Sequence, residues 1–272
     1  MFVLNPEELT ALATRLSSRY TTAEPFPHAV IDGFLPEDVL RKVAASFPKT
    51  KDIDWHRSTN PRQKKLAVED ETQINDEARW LLYQLNSATF MKFLETLTSI
   101  AGLIPDPYFA GGGLHQIERG GYLKIHADFN LHPRFMLERR LNLLLYLNEN
   151  WPEEYGGHLE LWNRDMTRCV HRILPIFNRC VIFNTTDFSY HGHPEPLNCP
   201  AGTTRKSLAL YYYSNGRPVE EVSAEHGTLV RPRPGEMIDG LNGRSTASSL
   251  KAKLKRFVPP VVHDIRGYLK RK

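Results

Sequence analysis

The 272-residue chain has few of the features that mark secreted or membrane-spanning proteins. Its three cysteines, Cys169, Cys180 and Cys199, match neither a disulfide framework nor a zinc site in their spacing. Apolar runs such as residues 143–147 are far too short to cross a bilayer. The first residues lack the basic and apolar segments of a secretory signal. These absences predict a cytoplasmic protein, because thiols stay reduced in that compartment.

Positive charge is concentrated at one end of the chain. The net charge is +4, but residues 247–272 hold eight basic side chains and one acidic one, so the rest of the chain carries −3. We therefore expect no nucleic-acid partner for the body. Helices are predicted over 249–258 and 261–269, the first of them amphipathic. Two interpretations stay open for this tail: peripheral contact with an anionic membrane, or a solvated terminus that packs an apolar stripe on the body.

The pattern divides the chain into three regions. Residues 1–105 are predicted to form an N-terminal helical support region, because helix-start signals and apolar residues at helical spacing recur there. Residues 106–218 carry short apolar segments between glycine- and asparagine-rich turns, and residues 219–272 form a linker and the basic tail. The predicted strands cover 114–117, 123–127, 140–147, 158–162, 170–173, 179–183 and 206–213. Many short strands with such turns favour a jelly roll or barrel.

His126 and Asp128 stand two residues apart at the end of a predicted strand. Alternate side chains of a strand point to one face, so an imidazole and a carboxylate would enter the same cavity. Two histidines and one carboxylate on one face of a metal form the facial triad of iron(II) oxygenases. A bare His-x-Asp is weak on its own, because a histidine near a strand end is more often an ordinary polar residue. The third ligand must come from elsewhere, and His191 and His193 follow a later strand.

Arg205 and Ser207 are a second pair that shares a strand face. A guanidinium and a neighbouring hydroxyl suit a carboxylate, here the distal carboxylate of 2-oxoglutarate. The strand 140–147 alternates in the same way, with leucines on the face that packs on helices and Asn142 and Tyr146 on the other. Each residue also has a structural interpretation: Arg205 as a surface residue, Ser207 as a filler and Tyr146 as a core aromatic.

Taken together, these segments resemble the iron(II)/2-oxoglutarate oxygenases, in their prolyl 4-hydroxylase-like branch. The resemblance covers residues 113–213 and, loosely, the N-terminal third. It rests on matching elements in the family's order, namely Ile125-His126-Ala127-Asp128, Leu143-Leu144-Leu145-Tyr146-Leu147-Asn148, Gly156-Gly157-His158-Leu159-Glu160-Leu161, Val181-Ile182-Phe183-Asn184, Tyr190-His191 and Thr204-Arg205-Lys206-Ser207-Leu208. The resemblance implies a mainly β fold with flanking helices, built on a cupin-like double-stranded β-helix core.

The resemblance also implies a site. Iron(II) would bind to His126, Asp128 and His191, and 2-oxoglutarate to Arg205 with Tyr146, supported by Ser207 and Asn142. His193 is the alternative distal ligand, although the family often has an apolar residue there, and Lys206 is the alternative to Arg205. A carboxylate at position 128 predicts hydroxylation, since related halogenases carry a small residue that leaves room for chloride. No further side chain is expected to act as an acid or base.

The activity expected from the resemblance is hydroxylation of an unactivated C–H bond by O2, coupled to decarboxylation of 2-oxoglutarate to succinate and CO2. Ascorbate would be an accessory reductant. The resemblance favours a prolyl, peptidyl or amino-acid substrate, with a saccharide, lipid or small secondary metabolite as the alternative. A non-catalytic cupin-like binding or sensor protein is the competing hypothesis of another class. The segment 129–138, directly after the metal strand, is a candidate lid.

Overall fold

The computed structural model describes residues 3–240, of which those up to Glu236 form one compact unit. The two helices predicted in the basic tail lie outside the described residues. Within that part of the chain, no helix combines the length and the apolar character that crossing a membrane requires. The three cysteines are free, as their spacing predicts.

Four helices cover one side of the molecule: α1 Pro6–Thr21, α2 Glu37–Ser46, α3 Asp76–Leu85 and α4 Ala88–Thr98. Helix α1 begins where its sequence predicts, because the Asn5 side chain accepts hydrogen bonds from the N–H groups of Glu7 and Glu8 at 3.0 and 3.4 Å. Asn86 and Ser87 separate α3 from α4, and α4 ends at Thr98.

Thirteen strands within residues 3–240 form one curled, antiparallel sheet. They are β1 His28–Asp32, β2 His56–Asn60, β3 Gln63–Val68, β4 Ile104–Pro105, β5 Gly113–Ile117, β6 Tyr122–Ala127, β7 Glu138–Tyr146, β8 Leu159–Trp162, β9 Cys169–Ile173, β10 Arg179–Asn184, β11 His191–His193, β12 Arg205–Ser214 and β13 Leu229–Val230. The main path runs β1-β10-β7-β12-β5-β3-β6-β11-β8-β9. All seven predicted strands are present, and the double-stranded β-helix fold with flanking helices is confirmed.

Strand β7 shows why the helices and the cavity lie on opposite sides of the sheet. Leu141, Leu143 and Leu145 are fully buried in the main hydrophobic core, which also holds the buried faces of the four helices. Asn142 and Leu144 point the other way and line an internal cavity. The alternation along one strand therefore fixes which face of the sheet is structural and which can hold a site.

The N-terminal region adds strands to the sheet as well as helices. β1 pairs with β10, and the hairpin of β2 and β3 pairs with β5 and β6 through β3. The sheet therefore crosses the division placed at residue 105, and the three-region organisation stays a prediction. The sequence interpretation missed this hairpin, because β2 contains no apolar residue and Lys64-Lys65 in β3 looks like solvated charge.

Candidate active site

Three side chains on or just after the neighbouring strands β6 and β11 come together at one end of the cavity. His126 of β6, Asp128 just after β6 and His191 of β11 offer ligand atoms that all lie within 4.8 Å of one another. Both Nε2 atoms are 3.5 Å from a carboxylate oxygen of Asp128. The antiparallel pairing of β6 and β11 sets residue 191 opposite residue 126, which explains why distant parts of the sequence converge here.

Backbone hydrogen bonds orient both imidazoles toward this point. The Nδ1 of His126 lies 2.8 Å from the carbonyl oxygen of Lys124, and the Nδ1 of His191 lies 2.9 Å from that of Ser189. Because Nδ1 must then carry the proton, Nε2 is left as a lone-pair donor at the centre. Burial and the neighbouring His126 lower the pKa of His191 to about 4, so its ring is neutral at physiological pH, as a metal ligand must be.

The carboxylate of Asp128 is held by two partners that leave it ionised. Asn142 donates to Oδ2 at 2.7 Å, and the Nη2 of Arg139 lies 3.1 Å from the same oxygen. Burial alone would raise the pKa of Asp128, but the charge of Arg139 outweighs it and holds this pKa well below its usual range. Oδ1 has neither of these partners. The donor set and its charge therefore fit a divalent metal with open coordination positions.

The structure separates the two candidate distal histidines. His191 lies in the three-residue cluster, whereas His193 lines the same cavity outside it. Both ring nitrogens of His193 are buried without a hydrogen-bond partner among residues 3–240. The geometry favours His191 as the ligand and leaves His193 as a polar group of the cavity wall.

Arg205 lies at the other end of the cavity, where it contacts only neutral acceptors. Its Nε donates to the carbonyl oxygen of Gly157 at 2.9 Å, and its Nη2 donates to the hydroxyl of Tyr146 at 3.2 Å. Gly157 adopts φ +74°, and a Cβ there would come within 3.0 Å of the Arg205 side chain, so only glycine fits. Nη1 of this buried guanidinium stays available for an anion.

Lys206 takes the opposite direction from Arg205. Its ammonium lies over the ring of Phe47, 5.5 Å from the centroid and away from the cavity. Ser207 returns to the cavity wall, as the two-residue alternation predicts. The long loop before β12 therefore leaves the register of Arg205 unchanged.

The cavity between the metal end and Arg205 measures about 230 Å³. Its wall includes the predicted site residues His126, Asp128, Asn142, His191, His193, Arg205 and Ser207. Tyr146 reaches it through Arg205, and Lys206 lies outside it. Phe129, from the candidate lid, also lines it, and closure of that segment stays a prediction. The cavity-lining residues used below are Lys65, His126, Asp128, Arg139, Asn142, His191, His193, Arg205 and Ser207.

Arg139 lines the cavity, although the two-residue alternation of a strand does not predict it there. By parity Arg140 would share the face of Asn142, but β7 carries a bulge: Tyr212 pairs with Leu141, and Tyr213 pairs with Arg139. The extra residue brings Arg139 onto the cavity face. There its guanidinium donates to Asn142 Oδ1 at 2.7 Å and lies 3.5 Å from the ring centroid of Tyr211. No sequence signal marks this bulge.

A jelly roll with a His-Asp-His cluster at one end of its cavity is the arrangement expected of a non-haem iron oxygenase. Residues 112–213 match the model of the 2OG-Fe(II) oxygenase superfamily. This match confirms the resemblance seen in the sequence. The family implies Fe(II) and 2-oxoglutarate, and the donor set and the free guanidinium described above fit both.

The chain is also similar to a curated protein and to two solved structures. It is 25% identical over 196 residues to prolyl 3-hydroxylase OGFOD1 of Mus musculus, covering 70% of this chain and 33% of that protein. The chain thus spans about a third of the length of this relative. A Pseudomonas putida prolyl-4-hydroxylase matches 75% of this chain and 100% of its own, with a TM-score of 0.52 and 17% identity.

A prolyl hydroxylase from Trichoplax adhaerens, solved with a hypoxia inducible factor peptide fragment, matches 76% of this chain and 91% of its own. The TM-score is 0.54 and the identity 17%. At such low identity the two structural matches establish a shared fold alone.

Proposed function

We propose that the protein is an Fe(II)- and 2-oxoglutarate-dependent hydroxylase. The observation that carries the proposal is the pairing, in one cavity, of a His-Asp-His cluster with a buried arginine that lacks a carboxylate partner. Bound iron and 2-oxoglutarate would supply the oxidising chemistry, in which O2 hydroxylates a C–H bond while 2-oxoglutarate loses CO2 and becomes succinate. Ascorbate would serve as an accessory reductant.

Each side chain has a separate role in this proposal. His126, Asp128 and His191 hold iron through Nε2, a carboxylate oxygen and Nε2. Arg205 binds the distal carboxylate of 2-oxoglutarate, and Tyr146 and Ser207 complete that seat. Asn142 holds Asp128 in place through its 2.7 Å hydrogen bond. No side chain needs to act as an acid or base, because these residues bind, orient and exclude water.

The substrate we propose is a prolyl residue within a polypeptide. The support comes from the similarity to the mouse prolyl 3-hydroxylase and from the Trichoplax adhaerens prolyl hydroxylase, which was solved in complex with a peptide fragment. A saccharide, lipid or small secondary metabolite is the alternative that a substrate screen must test. A cytoplasmic location is part of the proposal and follows only from the sequence features noted above.

Succinate release tests the proposal. The full chain, loaded with Fe(II) and supplied with O2 and 2-oxoglutarate, should release more succinate in the presence of prolyl peptides than without them. The same screen should include free amino acids, saccharides and lipids. Absence of a visible charge-transfer band when 2-oxoglutarate is added to the Fe(II) protein without oxygen would refute the cosubstrate assignment and leave a cupin-like binding protein.

A further inference from the structure

Lys65 is a cation of the cavity wall that lies outside the segment matching the family. It comes from β3, where Gln63 and Lys65 line the cavity while Leu66 and Val68 are buried in the main core. β3 lies between β5 and β6 in the sheet. Lys65 is therefore next to the strand that carries His126, and two strands from the one that carries Arg205.

Lys65 has no acidic partner among residues 3–240. Two other sequestered cations do: Arg139 pairs with Asp128 at 3.1 Å, and Lys124 pairs with Glu236 at 2.6 Å. The pKa of Lys65 is lowered, mainly by burial. The charge of Asp128 acts to raise this pKa, and the charge of Arg139 acts to lower it further. An ammonium withdrawn from water without a partner is unfavourable unless an anion binds beside it.

The charges of the cavity leave two cations to be matched. Arg139 is already paired with Asp128, whereas Arg205 and Lys65 have no carboxylate partner within the described part of the chain. 2-Oxoglutarate is a dianion with a carboxylate at each end of a five-carbon chain. One of its carboxylates fits Arg205. The other, with the 2-oxo group, would then lie toward the metal end, where Asp128 and Arg139 are the charges that act on Lys65.

We propose that Lys65 binds the 1-carboxylate of 2-oxoglutarate, the end at the metal, while Arg205 binds the 5-carboxylate. The inference rests on the proposed function. It makes Lys65 a cosubstrate-binding residue that the β2–β3 hairpin contributes from outside the matched domain. Each end of the cosubstrate then meets one cation, which orients the molecule along the cavity.

Two ligands separate the two ends of the cosubstrate. 2-Oxoglutarate has both carboxylates, and 2-oxopentanoate keeps the 1-carboxylate and the oxo group but ends in a methyl group. The full-length Fe(II) protein would be titrated with each ligand without oxygen, following the charge-transfer band. The variants are Lys65→Met, Lys65→Arg and Arg205→Met, with Lys64→Met as the control because Lys64 is an exposed neighbour on the same strand.

Lys65→Met should weaken both ligands about 10- to 100-fold, because each loses a charged hydrogen bond. It should also shift the band maximum of the 2-oxoglutarate complex, since the carboxylate it contacts binds the metal. Arg205→Met should weaken 2-oxoglutarate alone and leave the band maximum in place. Lys65→Arg should retain most of the affinity, and Lys64→Met should match the wild type.

Three outcomes would overturn the inference. Equal affinities and an unshifted band in Lys65→Met would show that Lys65 does not bind the cosubstrate. Weakening of 2-oxoglutarate alone, without a band shift, would assign Lys65 to the distal carboxylate. If Lys65→Arg lost as much affinity as Lys65→Met, Lys65 would have a structural role. If Lys65→Met does not fold, Lys65→Gln takes its place. Failure of the wild type to give any band would instead refute the proposed function.

Discussion

The two ends of the cavity differ in how their buried charges are paired. At the metal end, a buried carboxylate is already matched, because Asp128 has Arg139 and Asn142 as partners at 3.1 and 2.7 Å. At the far end, Arg205 donates only to the neutral oxygens of Tyr146 and Gly157. The first arrangement keeps a ligand ionised and oriented, and the second keeps a cation ready for an anion. We infer from this difference that one end is suited to retain a metal ion and the other to bind and release an anion.

Asp128→Ala should have the largest effect, because it removes the only anionic ligand of the cluster. We expect succinate production to fall more than about 100-fold, beyond the 10- to 100-fold typical of losing a group that merely supports a ligand. The assay is succinate release at saturating 2-oxoglutarate. Asp165→Ala, at an exposed turn, is the control and should match the wild type. Turnover that survives in Asp128→Ala would show that the ligand set is wrong.

Arg139→Met tests whether Arg139 neutralises the charge of Asp128 before a metal binds. The variant leaves the carboxylate of Asp128 buried without its cationic partner and with Asn142 as its hydrogen-bond donor. The free energy of unfolding of the metal-free protein should therefore fall by about 3 kcal/mol. Chemical denaturation measures this. Mn(II) should restore more stability to the variant than to the wild type, because the metal takes over the missing positive charge. Equal stabilisation of both proteins would contradict the pairing.

Arg205→Met addresses the exchangeable end. Loss of the guanidinium should raise the Kd of 2-oxoglutarate about 100-fold, while iron binding stays unchanged because Arg205 lies away from the cluster. Anaerobic titration gives both constants. The matched control is Lys206→Met, whose side chain points away from the cavity and should leave the Kd within about twofold. If Lys206→Met weakens 2-oxoglutarate binding more than Arg205→Met does, the assignment of Arg205 as the binding residue is wrong.

Tyr146→Phe should have the smallest effect of the four. The ring stays in place in the core, and only the hydroxyl that accepts from Arg205 at 3.2 Å is lost. One hydrogen bond at the edge of the seat corresponds to about a 3- to 10-fold rise in the Kd of 2-oxoglutarate. The same titration measures it, and affinity for 2-oxopentanoate should not change. A loss as large as that of Arg205→Met would mean that Tyr146 contacts the carboxylate directly.

The sequence predicted the strands around the site because alternation is a local property. The leucine face of β7, the His126–Asp128 pair and the Arg205–Ser207 pair each depend only on side chains two residues apart, and the structure agrees with all three. The order of the segments predicted the family. The roles of the site residues remain predictions, although the structure brings His126, Asp128 and His191 together as expected.

The hairpin carrying Lys65 could not be predicted with the same rule. β2 is held by pairing with β3, and β3 by pairing with β5 and β6, so neither needs its own apolar pattern. One local signal was available: Asn60 precedes Pro61, and its side chain accepts hydrogen bonds from the N–H groups of Arg62 and Gln63. That signal marks a turn but does not show which sheet the strands join.

By itself, the sequence determined where seven of the strands lie along the chain, which faces the Arg205–Ser207 pair and the leucines of β7 share, and the types of side chain that reach the cavity. Tertiary structure alone decided which residues meet. A bulge in β7 placed Arg139 rather than Arg140 beside Asp128, and the pairing of β6 with β11 selected His191 over His193. Register between distant strands caused both outcomes. It depends on the packing of the whole sheet, whereas alternation depends only on the backbone of a single strand.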